Sequence, residues 1–174
     1  KQGLEPEPYS RLWIIGDGAY NPLLKEEEGS WNKLCFTGRI SREQLFELYS
    51  IADIGVIPSL FEPFGYVAVE MMMHGLPLVV TDTTGLDEIV EDEVSGLKVR
   101  ISALENGNEV DTVQMAQRIV FLLQDPAERR RLGHNGRNRY LKKFTGAIMC
   151  EKMMNCYQEL LQSIPAGQSH TITL

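Results

Sequence analysis

Pro58-Ser-Leu-Phe-Glu62-Pro-Phe-Gly65-Tyr-Val-Ala-Val-Glu70 decides the fold, because of the segments that stand on either side of it. Before it, Asp53-Ile-Gly-Val-Ile57 is a short apolar run of the kind that forms a buried parallel strand. Toward its end, Val67 begins a helix-compatible run that continues to His74 and stops at Gly75-Leu-Pro77. The whole reads as strand, loop and helix start, with the helix expected over residues 67–74 and Gly65 at its opening.

The same alternation extends outward. Residues 12–15, 34–36, 54–57, 78–80 and 97–99 are apolar, β-branched or aromatic runs, too short for helices and bounded by Gly or Pro. Helical segments lie between them, clearest at 41–52 and 67–74, the first opened by the capping-box pattern Ser41-x-x-Gln44. Strand alternating with helix predicts an α/β chain with a doubly wound parallel sheet, and ligands at the carboxyl ends of its strands. From Asp111 onward the pattern predicts extra C-terminal helices over 111–124, 126–143 (Pro126 in the first turn) and 146–163.

That placement gives the quoted stretch a chemistry. At the helix start the N–H groups of Gly65, Tyr66 and Val67 have no helical acceptor, and with the helix dipole they favour a phosphate in the crevice above the strands. Glu70 falls roughly 7 Å along the axis at ~1.5 Å per residue, where a carboxylate can accept both hydroxyls of a ribose. Glu62, in the loop on the other side, can accept hydrogen bonds from a hexose or stabilise positive charge at its anomeric carbon. One ligand made of ribose, diphosphate and sugar satisfies both. The bland alternative is that two glutamates eight residues apart are a coincidence of composition, and only the surrounding residues decide against it.

Those residues are Trp13-Ile-Ile-Gly-Asp-Gly18, Leu34-Cys-Phe-Thr-Gly38-Arg-Ile, Ala52-Asp-Ile-Gly-Val-Ile-Pro-Ser59, Glu62-Pro-Phe-Gly65 with Glu70, Gly75-Leu-Pro-Leu-Val-Val-Thr-Asp82, Gly85-Leu-Asp-Glu-Ile-Val90 and Ser95-Gly96-Leu-Lys-Val. In order and spacing they resemble the nucleotide-binding, C-terminal half of retaining glycosyltransferases of the GT-B fold, group 1 family. The resemblance implies a Rossmann-like domain, with Glu62 facing the donor sugar and Glu70 holding the ribose. It implies that the backbone amides of Phe64, Gly65, Tyr66 and Val67 meet sugar and phosphate, and that Arg39 and Ile40 border the base. The donor it implies is a UDP-, GDP- or ADP-hexose, handled without metal or further cofactor, and the acceptor would be bound by a preceding N-terminal domain. Two departures stand out. Thr84 occupies a position that is often Gly in relatives, and the phosphate-binding Arg and Lys of the family match nothing here, so they are expected upstream of residue 1. The chain is accordingly expected to begin after the first strand and helix of its own half and to turn over nothing alone.

Length and composition fit one domain. A chain of 174 residues with 43% hydrophobic content can bury one core, read here as residues 1–164 with a flexible tail at 165–174. The net charge of -7 argues against a nucleic-acid surface, yet leaves room for a nucleotide, since local amides and one or two cations can hold a diphosphate. Three cysteines fit neither a disulfide framework nor a metal site, and Cys35, Cys150 and Cys156 are expected to be reduced packing residues of a cytoplasmic protein. No window reaches the ~18 apolar residues of a membrane span.

Other features carry competing readings. Gly16-Asp-Gly18 suggests a dinucleotide fingerprint, but Asn21 replaces the third Gly and a turn is expected instead. His74 is read as structural rather than as a base, and Met71-Met-Met73 as core. Arg129-Arg-Arg131 with Arg137, Arg139, Lys142 and Lys143 could give peripheral docking on anionic lipid at the inner membrane face, against the favoured reading of a solvated helix face. Asp82 lacks a second Asp at metal-binding spacing. Two alternatives to a hexosyltransferase stay open: a sugar-nucleotide epimerase or phosphorylase of the same fold, and a non-catalytic nucleotide-binding or interaction module.

Overall fold

A computed structural model describes residues 10–18, 33–104 and 107–163, so the tail expected at 165–174 lies outside the described residues. The five expected strands form: β1 (Leu12–Ile15), β2 (Leu34–Gly38), β3 (Gly55–Ile57), β4 (Leu78–Thr81) and β5 (Leu97–Val99). β3, β4 and β5 make a parallel ladder in that order, Val56 opposite Val79 and Val79 opposite Leu97. β1 and β2 make a second parallel ladder, Trp13 opposite Cys35. Parallel neighbours need crossovers, and the helices supply them. α1 (Arg42–Ile51) joins β2 to β3, α2 (Tyr66–Met73) joins β3 to β4, and α3 (Thr84–Ile89) joins β4 to β5. The fold is α/β, as expected.

The core sits on both faces of β4, which explains why that strand is an unbroken apolar run rather than an alternating one. Leu78 and Val80 point to one face, packing with Ala68 and Met72 of α2 and with Leu86 and Ile89 of α3. Val79 points to the other, where it meets Leu97 and Val99 of β5, Leu122 of α4 (Thr112–Gln124) and Leu132 of α5 (Pro126–Lys143). Helices above and below one sheet are the doubly wound arrangement. Ser41 closes the predicted capping box, its side chain accepting from the Gln44 N–H while Gln44 accepts from the Ser41 N–H. Asp125 accepts from the N–H groups of Ala127 and Glu128, so Pro126 stands in the first turn of α5 where its missing N–H costs nothing.

Three features differ from expectation. An antiparallel hairpin, β6 (Ile101–Leu104) and β7 (Gly107–Val110), precedes the C-terminal helices, with Ile101 opposite Val110. Residues 84–89, outside the clearest expected helices, form the short helix α3 with Thr83 as its N-cap. The cysteines are free but not packing residues: all three are exposed. Cys150 and Cys156 lie on α6 (Gly146–Ser163), which has no buried residue, and Cys35 points outward from the β1–β2 ladder. The expected core role of the methionines holds for Met72, which is fully buried.

Candidate functional site

The Glu62-Pro63-Phe64-Gly65 loop is shaped by glycines at its two supports. Gly65 is the N-cap of α2 with φ 101°, a left-handed conformation that only Gly adopts without strain. A Cβ there would also lie 2.9 Å from Leu86 Cδ2 and 3.1 Å from Ile89 Cδ1. Gly85, in the first turn of α3, lies so close beneath the loop that a Cβ would be 2.6 Å from Phe64 N and 2.7 Å from Pro63 C. Its N–H donates to the Glu62 carbonyl at 3.1 Å. Thr81, buried at the end of β4, donates its hydroxyl to the carbonyls of Ile57 and Ser59, tying the entry of the loop to the central strand. The loop that carries Glu62 is therefore bolted to β4 and α3 beyond the carboxyl ends of the strands.

α2 has no side-chain cap, so the N–H groups at its start, Tyr66 and Val67, have neither a capping side chain nor a helical acceptor. Phe64 and Tyr66 pack ring against ring with centroids 4.8 Å apart, and with Leu60, Phe61 and Val67 they form an exposed apolar rim beside those amides. Glu62 stands half-buried in the loop. Glu70 is on the same helix as the amides, its side chain 25% exposed, and the structure adds a partner that sequence reasoning missed: Arg42 Nη2 lies 3.2 Å from Glu70 Oε1. Nothing local announces this contact, because it joins residues 28 apart on two helices.

Behind Glu70 the junction of α1 and α2 is aromatic. His74 Nδ1 bonds the Glu70 carbonyl at 2.8 Å, and its ring packs 4.8 Å from Phe46 and 5.6 Å from Tyr49. This is the structural role expected of His74. Burial of the Tyr49 phenol, with a smaller contribution from the Glu70 charge, pushes its pKa up to about 12.

After β1, where a turn is expected, the chain bends at Gly16 in Gly16-Asp-Gly18, and the segment has a use the sequence did not show. Asp17 Oδ1 accepts the Arg39 N–H at 3.2 Å while Oδ2 lies 3.1 Å from Arg39 Nε, so the turn after β1 holds the segment that contains Arg39 and Ile40. Asp82 pairs with Lys98, 3.6 Å away, and Lys98 also contacts Asp87. Among the described residues no three His, Cys, Asp or Glu side chains gather as a metal-binding group, and no helix is long and apolar enough to cross a membrane. Of the basic residues on α5, three are committed within the chain. Arg129 donates to the carbonyls of Leu122 and Leu123, Arg131 pairs with Glu128, and Arg139 donates to the carbonyls of Ile89 and Glu88. A cleft of about 300 Å³ lined by Asp53, Gly75, Pro77 and Arg129 lies at the opposite ends of β3 and β4 and includes none of the predicted site residues.

Comparison with known proteins bears on this geometry. The family described as glycosyl transferases group 1 matches residues 4–139. Alpha-maltose-1-phosphate synthase of Mycobacterium tuberculosis is 32% identical over 123 residues, which are 70% of this chain and 31% of that protein. Among solved structures, sucrose-phosphate synthase from Thermosynechococcus elongatus superposes with a TM-score of 0.76 at 30% identity, over 91% of this chain and 40% of that one. The C-terminal domain of a group 1 family glycosyl transferase from Francisella tularensis superposes with a TM-score of 0.67 at 23% identity, over 81% of this chain and 73% of that one. The chain thus spans well under half the length of the two synthases it matches.

Proposed function

The chain belongs to the group 1 glycosyl transferases, and from that premise we propose that it is the C-terminal, donor-binding domain of a retaining hexosyltransferase that uses a nucleoside-diphosphate sugar. The observation that carries the reading is the rigid mounting of Glu62 and Glu70 on either side of the uncapped start of α2. In this reading Glu70 accepts the ribose hydroxyls, and the amides of residues 65–67 meet the diphosphate. Arg39 and Ile40, held by Asp17, border the base of a uridine, guanosine or adenosine nucleotide. The near match in extent to the Francisella domain supports the C-terminal placement. The two synthases, named for sugar products, support hexosyl transfer.

The bond from the anomeric carbon to the diphosphate oxygen breaks with its electron pair going to the diphosphate, whose growing charge the amides at the start of α2 and the family's upstream Arg and Lys stabilise. The acceptor hydroxyl, held by a preceding domain, attacks from the face that the diphosphate leaves, and its proton passes to the departing phosphate oxygen. Glu62 orients the sugar and offsets positive charge at the anomeric carbon. Glu62→Gln in the intact protein is expected to lower turnover roughly 10²-fold while changing nucleotide affinity less than threefold. Unchanged turnover would sink the assignment, and conversion of the nucleotide sugar without any acceptor would give the epimerase reading instead.

A further inference from the structure

We propose that Arg42 is a positioning residue that presents the Glu70 carboxylate to the ribose diol, and thereby sets the preference for ribonucleotides over deoxyribonucleotides. The inference rests on the assignment of Glu70 to the ribose made above. A glutamate has three rotatable side-chain bonds, and one free to rotate must be ordered each time a ligand arrives. Glu70 is not free. Arg42, the first residue of α1, reaches across to hold Oε1 at 3.2 Å. Its guanidinium is itself held over the Phe46 ring, 5.0 Å from the centroid. Phe46 packs 4.8 Å from His74, and His74 closes the circuit by bonding the Glu70 carbonyl at 2.8 Å. Side chain and backbone of Glu70 are thus both referred to the same face of α1.

An exposed ion pair is ordinarily of little consequence. Here the carboxylate is only 25% exposed, and the guanidinium, on a side chain that is 69% exposed, rests over the Phe46 ring as well as against Glu70. Arg42 donates to Oε1 from one side, and a carboxylate offers further lone pairs as an acceptor without donating. A vicinal diol brings two donors, and Oε2 with the remaining lone pair of Oε1 is what it needs. A sugar without those hydroxyls gains nothing from the arrangement. The contribution of Arg42 should therefore appear only with ribose, and only while Glu70 is present.

The test is calorimetric titration of the intact protein with uridine, guanosine and adenosine diphosphates and the 2′,3′-dideoxy form of each. Wild type is compared with Arg42→Ala, Glu70→Ala and the double variant, with thermal unfolding recorded for each. Arg42→Ala is expected to weaken the ribonucleotide that wild type binds roughly tenfold, to leave its dideoxy form within twofold, and to add nothing in the Glu70→Ala background. Arg42→Lys should recover part of the loss, because it keeps the charge without the planar contact to Phe46. Equal weakening of both sugar forms, or none, overturns the proposal and leaves the ribose assignment standing. A Glu70→Ala protein that still prefers ribonucleotides, or a wild type that binds none of the three, overturns the ribose assignment and the proposal with it.

Discussion

Gly85 has no room for a side chain, and the consequence reaches the carboxylate two elements away. Its missing Cβ would press on the backbone of Glu62, Pro63 and Phe64, three consecutive residues that cannot retreat independently because Thr81 holds the entry of their loop and Gly65 its exit. Contact with backbone is harder to relieve than contact with the end of a flexible side chain. Gly85→Ala is accordingly expected to destabilise the chain by about 2 kcal/mol or more, read from urea unfolding, and to impair turnover of the intact protein beyond what the stability loss explains. A variant of unchanged stability would show that the loop shifts to make room, and would remove the argument that Glu62 is rigidly mounted. The neighbouring Thr84 is exposed in the first turn of α3, so its side chain fits without disturbing the same support.

At the scale of elements, the junction of α1 and α2 is sealed by Phe46, Tyr49 and His74, and Tyr49 gives it a pH signature. Tyr49 is 4% exposed, and burial pushes the pKa of its phenol up to about 12 against an ordinary value of 10. A group whose pKa is raised in the folded state keeps its proton longer there than in the unfolded chain. Its contribution is therefore complete below pH 10 and is lost as pH rises toward 12, with a total of the order of 2 kcal/mol. Denaturant unfolding at pH 9 and pH 11.5 should show a larger alkaline loss for wild type than for Tyr49→Phe; equal losses would mean that the phenol ionises without disturbing the junction. What could be read from the sequence follows the same division between local and distant causes. The capping box of α1, the Asp125-Pro126 start of α5 and the glycine start of α2 are written in adjacent residues, and all three stand as expected. The Arg42–Glu70 and Asp17–Arg39 pairs join segments far apart in the chain, and no spacing rule reports them. The hairpin of β6 and β7 was hidden for another reason: Ile101-Ser-Ala-Leu and Gly107-Asn-Glu-Val lack the clear apolar alternation that marks a strand pair.

Across the whole molecule, stability is distributed unevenly. Every residue of β4 is buried, and its two faces anchor both apolar clusters, so β3, β4 and β5 can open only by giving up the core. No residue of β1 or β2 is fully buried, neither strand belongs to those clusters, and among the described residues their ladder pairs with no third strand. Regions with few buried apolar contacts open at free energies well below that of global unfolding. Amides of β1 and β2 in the 174-residue chain are thus expected to exchange with opening free energies at least about 2 kcal/mol below those of Val79 and Val80. Equal protection of both ladders in the 174-residue chain would show that they unfold as one unit and would overturn this uneven distribution.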